Sequence, residues 1–170
     1  MVILFSGRKS TVEREIIEIL CKYGANYISD KAVSAGDGGF TIISEYKKTD
    51  INLKNGIAVF IDDTDRFENQ VFPDGITGIC EDKTITALGI FKASGIPVIS
   101  CGMSAKNTVT LSSLGSGSLL ASLQRTVTDL SGGEVEPGEF KIRLTKPYTH
   151  FAVMASAAVL LLSGIVPDVF

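Results

Sequence analysis

VILFSGRKSTVEREIIEILCKYG, residues 2–24, is the stretch that decides the fold. Val2-Ile3-Leu4-Phe5 is a short continuous apolar run, which suits a strand buried on both faces, as in a parallel sheet. Ser6-Gly7 ends it. Val12, Ile16, Leu20 and Tyr23 then share one face of a helix, with Glu13, Arg14, Glu18 and Lys22 elsewhere. Ser10 and Glu13 have the S-x-x-E spacing of a capping box, in which each side chain satisfies a free amide of the first turn. Gly24 is the expected stop. Strand, tight loop and helix in this order open an α/β unit.

The alternation continues outward. NYIS (26–29) and FTIISEY (40–46) read as strands split by the loop Ala35–Gly39, and IAVFIDD (57–63), GITGIC (75–80) and Pro97–Cys101 are further strands. A helix is expected from a cap at Asp82 through Ser94, with Ile85, Leu88 and Phe91 inward and Gly95 closing it. Strands alternating with helices imply a parallel sheet with crossovers. Near residue 102 the texture changes. NTVTLSSL (107–114), LLASLQRTVTDL (119–130) and EFKIRLT (139–145) alternate, punctuated by GSGS (115–118), SGGE (131–134) and EPGE (136–139). Turn-bounded alternation predicts an antiparallel unit of about three strands. A last helix is expected from Thr149 to Leu162, ended by Gly164 and Pro167. The expected class is therefore α/β, a mainly parallel sheet flanked by helices. The expected organisation is one domain over 1–170, with a parallel part (1–102), an antiparallel unit (103–148) and a closing helix (149–166).

Composition narrows the function classes. The 170 residues carry a net charge of -3 with both signs scattered, so no basic stripe suggests nucleic acid. Cys21, Cys80 and Cys101, an odd count at wide spacing behind no leader, argue for reduced thiols in a cytoplasm. The mean hydropathy of +0.28 leans apolar, which points to a homo-oligomer or a protein partner covering some surface. Much of that lean comes from Phe151–Val166. This run is short of the roughly 20 residues that span a bilayer. Ser156, Ser163 and Gly164 dilute it, so it reads as a buried helix with no membrane role.

Three groups of residues could carry chemistry. Ser6-Gly7-Arg8-Lys9-Ser10-Thr11 lies between the first strand and the first helix. A phosphate loop needs glycines so that backbone amides close on phosphates, a lysine for charge and a hydroxyl for the metal. Lys9, Ser10 and Thr11 meet that need, but only Gly7 is glycine, and Arg8 stands where a second glycine precedes the lysine. Two readings stay open: a retained anion site, favoured by the helix dipole and two cations, or a tight turn with a solvated lysine. Asp62-Asp63-Thr64-Asp65-Arg66 follows a strand, at the edge where ligands of open α/β sheets gather. Asp62 and Asp65, with Ser10, are candidates to hold magnesium; the alternative is an acidic turn that stops a strand. Cys80, Cys101 and His150 could suggest a metal or a nucleophile, but they lack the spacing that either needs, and His150 alone suits a cap at a helix mouth.

The serial order of these segments resembles the central, ATP-binding domain of the Mur ligases. GIPVISCGMSAKNTVTLSSL (95–114), alternating strands, and GEFKIRLTKPYTHFAVMASAAVLLLSGI (138–165) are similar to the end of that domain, where a V-I-T-F-G strand leads to a β unit and then to G-x-H-N-x-x-N-A-x-A-A. His150 matches the motif histidine, and Ala155, Ala157 and Ala158 its small residues; Phe151 and Met154 replace its asparagines. GICEDKTITALGI (78–90) resembles V-x-N-x-D-D through Glu81 and Asp82. IAVFIDDTDRF (57–67) resembles N-I-x-x-D-H, with Asp65 in place and Arg66 for the histidine. LFSGRKST (4–11) stands where the family has G-T-N-G-K-T-T.

The resemblance implies ATP and magnesium as cofactors, Gly7, Arg8, Lys9, Ser10, Thr11 and His150 on the nucleotide side, and a link to peptidoglycan synthesis. The replaced asparagines bear on adenine recognition. The chain is read as a truncated, degenerate relative, without the family's domains for the UDP-sugar substrate and the incoming amino acid. The expectation is a non-catalytic module that binds a protein partner or a phosphorylated ligand. The alternative is an ATP-dependent amide-bond ligase, or its nucleotide-binding subunit, completed by other chains.

Overall fold

The computed structural model describes residues 1–113 and 117–170. In chain order the elements are β1 (Val2–Phe5), α1 (Thr11–Lys22), β2 (Asn26–Ile28), β3 (Val33–Ser34), β4 (Thr41–Glu45), β5 (Gly56–Phe60), β6 (Ile76–Glu81), α2 (Ile85–Ser94), β7 (Val98–Cys101), β8 (Val109–Ser113), β9 (Ser118–Leu123), β10 (Val127–Thr128), β11 (Glu134–Val135), β12 (Gly138–Arg143) and α3 (His150–Leu162). A ten-stranded sheet runs in the order β12-β9-β8-β7-β6-β5-β1-β4-β2-β3. From β8 to β2 the pairs are parallel, and β3, β9 and β12 are antiparallel to their neighbours. This is the α/β, mainly parallel sheet expected from the alternation. The antiparallel strands continue the same sheet, because Cys101 of β7 pairs with Val109 of β8.

Period-two alternation along the buried strands feeds two cores. Val2 and Leu4 of β1 point into the layer of α1 and α3, while Ile3 and Phe5 point into the layer of α2. The second layer is aromatic: Phe60 lies 5.0 Å from Phe5 in a stacked pair and 5.2 Å from Phe91 edge-on. Among the described residues no helix is long and apolar enough to cross a membrane. Instead α3 buries every residue from Phe151 to Leu162 within this chain, which absorbs much of the apolar surplus.

Several local expectations change on folding. The first half of the capping box forms, with Ser10 Oγ accepting from the Glu13 amide at 3.1 Å. The return half does not, because Glu13 Oε1 accepts from Tyr46 Oη at 2.5 Å. Asp82 is not the cap of α2. Its carboxylate accepts from Asn107 Nδ2 at 2.8 Å, and Asp63 Oδ1 accepts the Thr86 amide at 2.9 Å from the next strand. The helix therefore starts later and turns Ala87, Ile90 and Phe91 inward, with Ile85 76% exposed. Gly95 closes it in the left-handed region, as expected. LLASLQRTVTDL is two strands, β9 and β10, the second pairing with β11. Of the expected GSGS turn, residues 115 and 116 lie outside the described residues, and Gly117 has φ +78°. Past Pro167 the chain returns to β12, where the Arg143 amide donates to the Asp168 carbonyl and the Phe170 amide to the Arg143 carbonyl.

Candidate functional site at the end of strand β1

Strand β1 lies between β4 and β5. The chain leaves β1 through α1 to reach β2 and β4 on one side, then crosses to β5 and β6 on the other. Such a reversal opens a crevice at the carboxyl ends of the strands, the place where open α/β sheets bind ligands. Loop residues Ser6–Ser10 sit there.

The loop amide is already engaged. Gly7 N–H donates to Asp62 at 2.9 Å (Oδ1) and 3.2 Å (Oδ2). Ser6 Oγ donates to the Arg8 carbonyl and lies 3.5 Å from Asp62 Oδ2. A Cβ at Gly7 would stand 3.0 Å from Thr64 Oγ1, so a larger residue here would press on the Thr64 side chain of the next loop. Arg8, Lys9 and Thr11 are exposed. Lys9 Nζ lies 5.9 Å from the centre of the Tyr46 ring. Ser10 spends its hydroxyl on the Glu13 amide.

The acidic segment divides. Asp62 reaches the loop, whereas Asp63 reaches the start of α2. Asp65 opens a 3₁₀ turn (Asp65–Phe67) and lines a groove with Ile85 and Thr86. Ser10, Asp62 and Asp65, grouped as magnesium candidates, thus turn to three different partners or grooves. At the next corner Glu81 pairs with Lys83 at 3.2 Å and Asp82 holds Asn107.

His150 is the first residue of α3 and is exposed; it makes no side-chain hydrogen bond among the described residues and does not line the cleft described below. Beside it, Phe151 and Met154 belong to the core. The helix mouth is capped from outside: Glu15 Oε2 accepts from Thr149 N at 2.9 Å and from Thr149 Oγ1 at 2.7 Å. Cys80 and Cys101 stand on neighbouring strands, in register one residue apart, and so face opposite cores. They cannot share a metal ion. Burial pushes the Cys80 thiol up to about 12 and Cys101 well above its ordinary value, so neither is a thiolate at neutral pH.

Sequence reasoning missed the neighbouring cleft. About 510 Å³ is lined by Lys9, Ser10, Thr11, Glu13, Arg14, Ile17, Tyr27 and Tyr46. Tyr27 comes from β2 and Tyr46 follows β4, and only parallel pairing (Tyr27 with Ile42) brings them beside α1. Tyr27 Oη lies 3.3 Å from Ser44 Oγ. Burial, then the Glu13 carboxylate, holds the Tyr46 phenol well above its ordinary value, so it stays a donor.

No family model matches the chain, and no curated protein matches it. Solved structures do. UDP-N-acetylmuramoylalanyl-D-glutamyl-2,6-diaminopimelate--D-alanyl-D-alanyl ligase from Acinetobacter baumannii superposes with a TM-score of 0.54 at 13% identity, over 96% of this chain and 43% of the ligase. UDP-N-acetylmuramate:L-alanyl-gamma-D-glutamyl-meso-diaminopimelate ligase from Neisseria meningitides superposes with a TM-score of 0.57 at 12% identity, over 99% of this chain and 62% of the ligase. The chain spans less than two thirds of either ligase. At these identities the likeness is one of fold: this chain has a Mur-ligase-like α/β fold.

Proposed function

We propose that this protein is a Mur-ligase-like module that has given up ligase chemistry and acts by binding a phosphorylated ligand beside Lys9, Ser10 and Thr11. The observation that carries this reading is the Asp62 carboxylate on the Gly7 amide. A phosphate loop works by leaving such amides free for phosphate oxygens. Here a side chain of the same charge takes that place, and it repels a polyphosphate drawn into the loop. The exposed Arg8 stands where the loop would need a second glycine, and the Ser10 hydroxyl is spent on its own helix. The positions of the motif asparagines are core side chains.

Cations and free amides remain on the outer side of α1, so binding of an anion survives the loss of the wrap. The test is the thermal midpoint with inorganic phosphate, Mg-ADP and Mg-ATP, beside an assay of ATP turnover. A ligand at a hundredfold excess over its dissociation constant adds about 2.7 kcal/mol of stability. The reading expects a rise with phosphate that is lost in Lys9→Ala, and no turnover. ATP turnover abolished by Lys9→Ala would overturn it in favour of an enzyme.

A further inference from the structure

The cleft beside α1 collects charged groups that the fold does not pair. Glu13 is 3% exposed; its Oε1 accepts from Tyr46, and its Oε2 accepts from nothing among the described residues. Lys9 and Arg14 are exposed on the rim and make no ion pair or side-chain hydrogen bond among those residues. The Thr11 and Val12 amides, the first of α1, also donate to nothing there. Between these groups stand the rings of Tyr27 and Tyr46 and the side chain of Ile17. Among the described residues the fully buried side-chain oxygens without a partner are Ser156 Oγ and Ser163 Oγ, so Glu13 Oε2 is not shut off from the cleft that Glu13 lines and stays open to a ligand that donates.

We propose that this cleft binds a planar heterocycle that bears an N–H donor and a single phosphate, a ligand of the nucleoside-monophosphate class. The ring lies against Tyr27 and Tyr46, its donor faces Glu13, and its phosphate meets Lys9, Arg14 and the free amides of α1. Charge selects one phosphate over a chain of them. Two cations face one carboxylate, and Asp62 closes the loop on the side where further phosphates would run. Magnesium is not needed. This inference rests on the reading above that the loop no longer wraps a polyphosphate.

The test is calorimetric titration of the full chain, without magnesium, with AMP, GMP, CMP and UMP, beside inorganic phosphate, adenosine and Mg-ATP. At least one monophosphate is expected to bind about tenfold more tightly than phosphate and than Mg-ATP. Tyr27→Leu and Glu13→Gln should each weaken that binding about tenfold. Tyr27→Phe should keep it, and the ligand-free thermal midpoint of each variant checks that the fold is intact. If phosphate binds and is lost in Lys9→Ala, but no monophosphate does better and Tyr27→Leu changes nothing, this inference fails and the loop reading stands. If neither phosphate nor any monophosphate binds, both fail.

Discussion

Asp62 and Gly7 hold the end of β1 to the end of β5: one carboxylate accepts one amide through both oxygens, at 2.9 and 3.2 Å. The contact closes the loop from inside. Replacing Asp62 separates its two effects. Asp62→Ala should cost about 1.5–3 kcal/mol, the range of a hydrogen bond to a charged acceptor. It should also raise affinity for inorganic phosphate several-fold, because the amide is freed and a like charge is removed. Urea unfolding gives the first number and calorimetry with phosphate the second. Unchanged or weaker phosphate binding would show that the carboxylate does not guard the loop.

Glu15 links α1 to the mouth of α3. Its Oε2 accepts both Thr149 N and Thr149 Oγ1, and it places negative charge at the helix end that favours it. Glu15→Ala is expected to lower stability by about 0.5–2 kcal/mol, since it removes the cap at the exposed mouth of α3. Thr149→Ala removes only the hydroxyl and should cost less. Equal losses in urea unfolding would contradict this division.

Gly78 makes room for Phe91. A Cβ at Gly78 would stand 2.7 Å from three ring carbons of Phe91, which is fully buried. Gly78→Ala should therefore destabilise by about 1–3 kcal/mol through overpacking. In a double-mutant cycle with Phe91→Leu, the two losses should add to less than their sum, because the smaller side chain leaves space for the methyl. Strict additivity would sink this account.

The capping acid Asp63 predicts how α2 responds to pH. The Thr86 hydroxyl, then the Thr86 and Ile85 amides, hold its carboxyl below the ordinary value. Ser131 does the same for Asp129, and Lys146 for Glu18. A group whose pKa falls on folding contributes stability above its unfolded value, about pH 4, and loses it as pH drops through the lower folded value. Thermal midpoints should hold steady from pH 7 to about 5 and fall below about 4. Asp63→Asn should lower the midpoint at neutral pH and make the acid fall shallower. An acid fall of the same steepness in the variant would remove Asp63 from the explanation.

The three thiols should separate by burial. Cys80 and Cys101 are buried and protonated, while Cys21 is only partly buried, though burial raises its thiol as well. Native protein treated with a thiol reagent at about pH 8 should label Cys21 well before the other two. Denatured protein should label all three. Fast labelling of three thiols in native protein would contradict the two-sided core.

Residues 2–24 made the first unit legible because local rules act alone there. An apolar run, a cap and a glycine stop need no distant partner, and β1, Ser10 and Gly24 stand where they were expected. The same holds for the buried strand read at 57–63, which spans Gly56–Phe60, for Gly95 and for α3, whose apolar surface, diluted by Ser156, requires burial on all sides. The resemblance of segment order to Mur ligases pointed to the fold that the solved ligases share.

Local pattern misled wherever a side chain chose a distant partner over a near one. Asp82 could cap its own helix, yet its carboxylate accepts from Asn107 instead, and Asp63, just past the end of β5, takes the helix amide. Glu13 could return to Ser10, yet Tyr46 claims it. Strand register decided that Cys80 and Cys101 face opposite cores. Sequence by itself determined the main strands and helices and which loop stands at the carboxyl end of β1, because those follow from neighbours along the chain; the short strands β3, β10 and β11 and the start of α2 do not. Only the tertiary structure decided that Asp62 closes this loop and that Tyr27, Tyr46, Glu13 and Arg14 meet in one cleft. Those contacts depend on which strands lie side by side, and parallel pairing joins residues far apart in sequence.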